Sequence, residues 1–340
     1  MSENTCCCAS DACCSDTAIQ AVSTSLTFKD TLGAWKVRWG IGRMDYLMEP
    51  GLYSVGKPDG NSPVLVSANY KLTFDTLRKN LVNLDCWLLI LDTKGVNVWC
   101  AAGKGTFGTE ELVNRIASVG LSEIVAHKKL ILPQLGAPGV SAHEVVRRTG
   151  FSVIYGPVRA NDIKTFLSSG YKATKEMRTV KFTLLDRLVL APMELVEVVK
   201  ISMVIFGLMF LINLFAVRAF GMMDFLAYAA AVLIGSVITP VFLPIIPGKA
   251  FAFKGWLLGA IGTSLIMWRY GWFASPFLLS GIGYMLALPA FTSFLAMNFT
   301  GASTYTSPSG VLKEMTIAVP FIVLLLLAGI ILILIKTFTG

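Results

Sequence analysis

Residues 86–106 read CWLLILDTKGVNVWCAAGKGT, and this stretch decides how the first half of the chain is built. Cys86 to Leu91 is a short, unbroken apolar run, as in a strand buried on both faces. Asp92-Thr93-Lys94-Gly95 is a turn, after which Asn97 can cap a short helix that Gly103 or Gly105 can end. The same alternation recurs on either side. Val64-Leu65-Val66 precedes a helix-like segment at 74–81, and a second one follows at 110–119. Leu130-Ile131-Leu132 precedes 142–148, and the apolar run 152–155 precedes 160–167. This alternation predicts a parallel α/β sheet with helices on both faces, which places ligands in the turns after the strands. Those turns are Ser67-Ala68-Asn69-Tyr70, the segment 92–109, Gln134-Leu135-Gly136 and Gly156-Pro157-Val158-Arg159-Ala160.

The second half is of a different kind. The chain has 340 residues, 54% hydrophobic and only 15% charged. Of its 50 Lys, Arg, Asp and Glu residues, 42 lie in 1–200 and eight in 201–340, so a polar half precedes a membrane half. Stretches 201–217, 225–246, 251–268, 272–297 and 316–335 are nearly charge-free and come close to the roughly 20 residues a spanning helix needs. Lys254 stands near the start of the third stretch, where it can snorkel. A fully soluble enzyme, a porin-like barrel and a disulfide-stapled or disordered chain are excluded. The net charge of +8 carries no basic run interleaved with aromatics, so nucleic acid is not an expected partner.

Met1 to Asp16 contains neither Lys nor Arg and no apolar run, so a secretory signal is not expected there and the first half stays inside. Lys249, Lys254 and Lys313 then fall in cytoplasmic loops, with Arg218, Arg269 and Lys336 outside, in modest accord with the positive-inside rule. The expected organisation is a Cys-rich flexible tail (1–35), a cytoplasmic α/β domain (36–172), a juxtamembrane linker (173–200) and an all-α transmembrane domain of five helices (201–340). The spans carry too few charged groups for a transporter and suit an anchor or scaffold. The Gly- and Ser-rich segment 298–310 is a connector or a binding loop.

Chemistry concentrates at Cys100. A thiol in the first turn of a helix stands where the backbone dipole favours negative charge, with Lys104 nearby, so Cys100 is a candidate ligand or nucleophile; a buried structural cysteine is the alternative. A phosphate loop fails on spacing, because Gly95 is too far from Gly103 and Gly105 stands where Ser or Thr should be. His127 and His143, the two histidines, lie beside no cysteine or paired carboxylate, which leaves a zinc hydrolase or a Cys-His protease without a constellation. Cys86 reads as core. Cys6, Cys7, Cys8, Cys13 and Cys14 are too close together for good disulfide geometry and form either a soft-metal capture tail or an unselected terminus.

The run Asn97-Val98-Trp99-Cys100-Ala101-Ala102-Gly103-Lys104 resembles the signature of the mercury-methylating corrinoid proteins of anaerobic microbes. The likeness extends over Gly51 to Gly56, Ser62 to Lys71, Leu91 to Gly95 and Gly156 to Ala160, and these stretches also resemble the corrinoid domain of the corrinoid iron-sulfur protein of the acetyl-CoA pathway. The five spans with 298–303 resemble the membrane domain of the mercury family. The resemblance implies a Rossmann-like corrinoid-binding domain holding a base-off, cobalamin-type corrinoid, with the Cys100 thiolate as the lower axial cobalt ligand. Consistent with this, no Asp-x-His-x-x-Gly motif for a histidine ligand is present. It implies that Val98, Trp99, Ala101 and Ala102 pack against the lower face of the ring and that Ser67 and Ala160 approach it. Asn97, Gly103, Lys104, Gly156, Pro157, Val158 and Arg159 complete the implied cofactor site.

The activity so implied is a cobalamin-dependent methyltransferase that passes methyl from cobalt to Hg(II), presented as a thiol complex. A membrane-anchored methyl carrier of one-carbon or acetyl-CoA metabolism with another acceptor is the alternative. A non-catalytic membrane sensor or metal-binding scaffold is a third. The implied partners are a ferredoxin-like 4Fe-4S electron donor, a methyltetrahydrofolate-linked methyl donor system and membrane lipid, at the inner (cytoplasmic) membrane.

Overall fold

The structure is a computed structural model that describes residues 19–215, 220–274, 277–302 and 305–339. The five N-terminal cysteines, Arg218 and Ser303 lie outside the described residues. The chain divides into two compact units: the first takes in 19–34 and Gly42–Thr179, the second Trp35–Ile41 and the chain from Val180 onward.

The first unit is built on a six-stranded sheet of β1 (Gln20–Ala21), β2 (Gly51–Val55), β3 (Val64–Ala68), β4 (Cys86–Leu91), β5 (Lys129–Leu132) and β6 (Ser152–Tyr155), in the order β1-β2-β4-β3-β5-β6. Its helices are α1 (Phe28–Arg38), α2 (Lys71–Arg78), α3 (Val98–Lys104), α4 (Thr109–Ser118), α5 (Leu121–Ile124), α6 (Ala142–Thr149) and α7 (Ile163–Ser168). β3 pairs in parallel with β4 and β5, and β5 with β6, as the alternation predicts. The sheet is nevertheless mixed, because β2 runs antiparallel to β4 with Tyr53 opposite Leu88. The connection 56–63 is shorter than the roughly dozen residues a parallel crossover needs, so the chain reverses there.

Every residue of β3 and β4 is buried. Their side chains alternate between two cores. Val64, Val66, Leu89 and Leu91 face α3, α4 and α6, while Leu65, Cys86, Leu88 and Ile90 face α2 and α7. Cys86 is core, and burial pushes its thiol up to about 12.

Part of the segment expected to be a flexible tail is tied down. Arg78 Nη1 donates to Ser23 O at 2.6 Å and Ser25 O at 2.9 Å, and its Nη2 donates to Asp30 Oδ2 at 2.8 Å. Lys71 Nζ bridges Asp30 Oδ1 at 2.6 Å and Asp75 Oδ2 at 2.8 Å. Burial pushes the Asp30 carboxyl up, but hydrogen bonds from Lys71, Thr27 and Arg78 outweigh it and hold the group well below the usual carboxylate range.

The second unit contains five helices long and apolar enough to cross a membrane: α8 (Leu184–Phe215), α9 (Met222–Phe242), α10 (Phe251–Tyr270), α11 (Leu278–Asn298) and α12 (Pro308–Thr339). α8 begins inside the segment expected to be a linker. The charges between 184 and 200 interrupt a charge-free window but not the backbone hydrogen bonding of a helix. Arg187 fastens its start, with Nε donating to Val241 O at 2.8 Å and Nη1 to Phe182 O at 2.7 Å. A π-turn at Ile234–Ile238 interrupts α9. α10 and α11 approach closely because Gly255 and Gly259 face Thr292, Ser293 and Ala296; a Cβ on Gly255 would stand 2.6 Å from Thr292 O. Thr292 Oγ1 donates to Gly255 O at 2.9 Å and Ser293 Oγ to Ala252 O at 2.8 Å. α11 and α12 meet where a Cβ on Gly329 would lie 2.6 Å from Gly283 O. Lys254 does not snorkel: it is buried and donates to Leu243 O at 2.5 Å.

Candidate functional site

The winding of the first unit locates the site. From β3 the chain crosses through α2 to β4 on one side; from β4 it returns through α3, α4 and α5 to β5 on the other. The direction of winding therefore reverses between β3 and β5, and a crevice opens outside the carboxyl ends of strands at such a point. α3 lies over this reversal, packed against β3 and against the 3-10 turn Gln134–Gly136 that follows β5.

Local sequence fixes α3 at both ends. Asn97 Oδ1 accepts the Cys100 backbone N–H at 2.9 Å, and Gly105 closes the helix in the left-handed region at φ 81°. Beneath it, Asn69 at the end of β3 acts as a hub. Its Oδ1 accepts from Thr93 N at 3.1 Å and Gly95 N at 3.1 Å, and the single Thr93 Oγ1 proton lies between Val96 O at 2.6 Å and Asn69 Oδ1 at 2.9 Å. Asp92 receives Lys94 in an ion pair, and its amide donates to Glu111 Oε1 at 2.8 Å. Sequence reading placed Asn69 in a strand-end turn but gave it no role. Its signal was a buried-strand terminus ending in a short polar side chain, which residues of the following turn can satisfy.

The two faces of α3 differ from the resemblance-based expectation. Val98, Ala101 and Ala102 are buried in the core below the helix, whereas Trp99 is 40% exposed and Cys100, Gly103 and Lys104 are exposed. Helical spacing is the cause: positions 98, 101 and 102 share one side, and 99, 100 and 103 share another. The outward face is open, since a Cβ on Gly103 or Gly105 would meet nothing within 4 Å. From the opposite side Gly139 presses close. A Cβ there would stand 2.1 Å from Phe107 O and 3.0 Å from Ala102 Cα.

Ser67 is buried on β3 opposite Ile90, and it shares the side of Leu65, away from α3. Gly156 and Pro157 are buried and Val158, Arg159 and Ala160 half-buried at the carboxyl end of β6; Gly156 N donates to Leu132 O at 2.8 Å and Val158 N to Met177 O at 2.8 Å. This turn and the turn leading into α3 follow β6 and β4, whose carboxyl ends share one edge of the sheet about 14 Å apart at three strand spacings, while α3 itself leans over β3 toward the turn after β5.

His127 Nε2 lies 2.9 Å from Ser62 O ahead of β5, and His143 Nδ1 lies 3.1 Å from Ser141 Oγ at the start of α6. Among the described residues no three His, Cys, Asp or Glu side chains converge. A metal held by Cys100 must therefore bring its other ligands with it. An exposed soft donor, an open helix face and a wide strand-end crevice fit a metallo-macrocycle.

The geometry defines a mixed-sheet α/β unit with an exposed thiol over its winding reversal, followed by five membrane-length helices. The family described as CO dehydrogenase/acetyl-CoA synthase delta subunit matches residues 42–167, within this unit. The chain is 33% identical over 139 residues to the acetyl-CoA decarbonylase/synthase complex subunit gamma of Methanocaldococcus jannaschii, covering 40% of this chain and 28% of that protein. The corresponding subunit of Methanopyrus kandleri is 35% identical over 122 residues, 35% of this chain and 26% of that one. That of Methanothermobacter thermautotrophicus is 33% identical over 127 residues, 37% and 27% respectively. The chain thus spans about a quarter of the length of these relatives.

Proposed function

We propose that the α/β unit holds a cobalt corrinoid beside Cys100 and serves as a methyl carrier of the one-carbon, acetyl-CoA type, anchored to the inner membrane with this unit in the cytoplasm. One observation carries the reading: the exposed Cys100 stands on a capped helix over the strand-end crevice, inside the segment similar to the acetyl-CoA decarbonylase/synthase gamma subunits. A bound cobalt corrinoid supplies a metal that accepts a methyl group and gives it up again. Cys100 would be the residue that holds the cobalt, its sulfur donating charge to the metal. Asn97 and Gly105 fix the helix that aims the sulfur, and Asn69 fixes the turn that carries the helix. Trp99, exposed beside Cys100, would offer an apolar face to the ring, and Gly103 would admit it without a clash. Val98, Ala101 and Ala102 brace the helix from the core. The backbone of 156–160 is placed to hold polar groups at the far rim. Electrons would come from a ferredoxin-like 4Fe-4S protein and methyl groups from a methyltetrahydrofolate-linked system.

A second reading makes Hg(II) the acceptor, so that the product is methylmercury. The Trp99-Cys100 pair within Asn97 to Lys104, together with the five membrane-length helices, favours it through the resemblance described above. One anaerobic experiment tests both. The purified full chain and Cys100→Ala are loaded with methylcobalamin, their absorption spectra are recorded, and Hg(II)-thiol complex is added. Retained corrinoid whose spectrum changes on Cys100→Ala is the expected result; no retained corrinoid, or identical spectra, overturns the carrier. Methylmercury that depends on Cys100 establishes the second reading, and its absence with corrinoid bound removes it. Cys100 is exposed, so the substitution changes stability by no more than about 0.5 kcal/mol.

A further inference from the structure

In the helical unit, α10, α11 and α12 part near one end and leave a cavity of about 790 Å³. Its wall is apolar: Trp256 on α10, Ala290 on α11, and Ala318, Phe321 and Leu325 on α12. The small side chains of Ala290 and Ala318 leave the space. From Gly310 to Leu325 the slot follows α12 for roughly 22 Å at 1.5 Å per residue. The charged groups gather at one mouth, which Lys249, Tyr305, Thr306, Lys313 and Glu314 line, and Ser293 in the wall spends its hydroxyl on Ala252 O. Lys249 and Lys313 are exposed there. Glu314 is already engaged, its Oε1 accepting Ala252 N at 2.6 Å at the start of α10.

The medium around helices of this length and apolarity is lipid. The lining decides among occupants: an apolar wall along α12 with its charged groups gathered at one mouth is the pattern of a tail joined to a charged head. Two ammonium groups at the mouth complement an anionic head. We propose that this slot binds one anionic phospholipid, its phosphate between Lys249 and Lys313 and one acyl chain along α12.

The test uses the full chain in detergent, mixed with equal amounts of dioleoyl-phosphatidylglycerol and dioleoyl-phosphatidylcholine, with bound lipid counted by native mass spectrometry. One phosphatidylglycerol per chain is expected, preferred over phosphatidylcholine by on the order of thirtyfold for two lysines near the head. The exposed pair of changes Lys249→Gln and Lys313→Gln should bring the two lipids to parity without altering the melting temperature. Ala318→Trp, which fills the slot, should remove both lipids. Equal retention by the wild type, a preference unchanged in the double variant, lipid displaced by excess inorganic phosphate, or a paired-chain mass in place of bound lipid each overturns the proposal.

Discussion

Asp30 sits in a segment whose composition reads as an unstructured tail, yet it joins Lys71, Asp75 and Arg78 in one network. Thr27 three residues before it is a local partner, but no periodicity announces the ion pairs, because Lys71 and Arg78 lie more than forty positions away. Its carboxyl is held below its unfolded value, so the stability it confers is fully present above about pH 4 and is lost as pH falls through and below that point. Asp30→Asn should cost about 2–3 kcal/mol at pH 7, between the loss for an exposed pair and that for a fully buried one. The difference between the thermal melts of the two proteins should be constant from pH 7 to about pH 5 and begin to narrow as pH falls through 4 toward 3; a difference that does not change with pH would refute the network's role. The two folded cysteines illustrate what sequence does reveal at this scale. A cysteine opening an apolar run, Cys86, is core, and one following a helix cap, Cys100, is exposed.

At the scale of elements, α3 was legible at both ends from Asn97 and Gly105, since capping is local chemistry. Its orientation was not legible. A seven-residue helix offers two turns, too few for its apolar side to be told from a ligand-facing one. β2 was also missed, because Gly51–Val55 is a single half-apolar segment whose partner strand is far along the chain. Asn97→Ala should cost about 1 kcal/mol and raise amide exchange across 98–104 while β4 stays protected. Gly139→Ala is the sharper probe of the site. Its Cβ would strike backbone at Phe107 and Ala102, which no rotamer change relieves, so α3 must shift. Weaker corrinoid retention with the sheet's circular dichroism preserved is the expected outcome, and unchanged retention would show that α3 tolerates displacement.

For the whole molecule, charge segregation foretold a sheet unit and five membrane-length helices. The sequence windows misplaced the start of α8, because absence of charge marks where a helix meets hydrocarbon and says nothing of where it begins. Crossing by all five of the membrane-length helices among the described residues, with the α/β unit in the cytoplasm as proposed, would put Gly248 on the inner side and the end of α12 on the outer side. Alkaline phosphatase fused behind Gly340 should therefore be active on the outer side, and the same fusion behind Gly248 silent; the reverse pattern would invert the topology. The approach of Gly283 and Gly329 also has a consequence in time. α12 leaves the ribosome after α10 and α11, and it can settle only when those two glycines find each other, backbone to backbone. Until then the flank of α11 is bathed in bilayer, so lipid is its neighbour before any protein is.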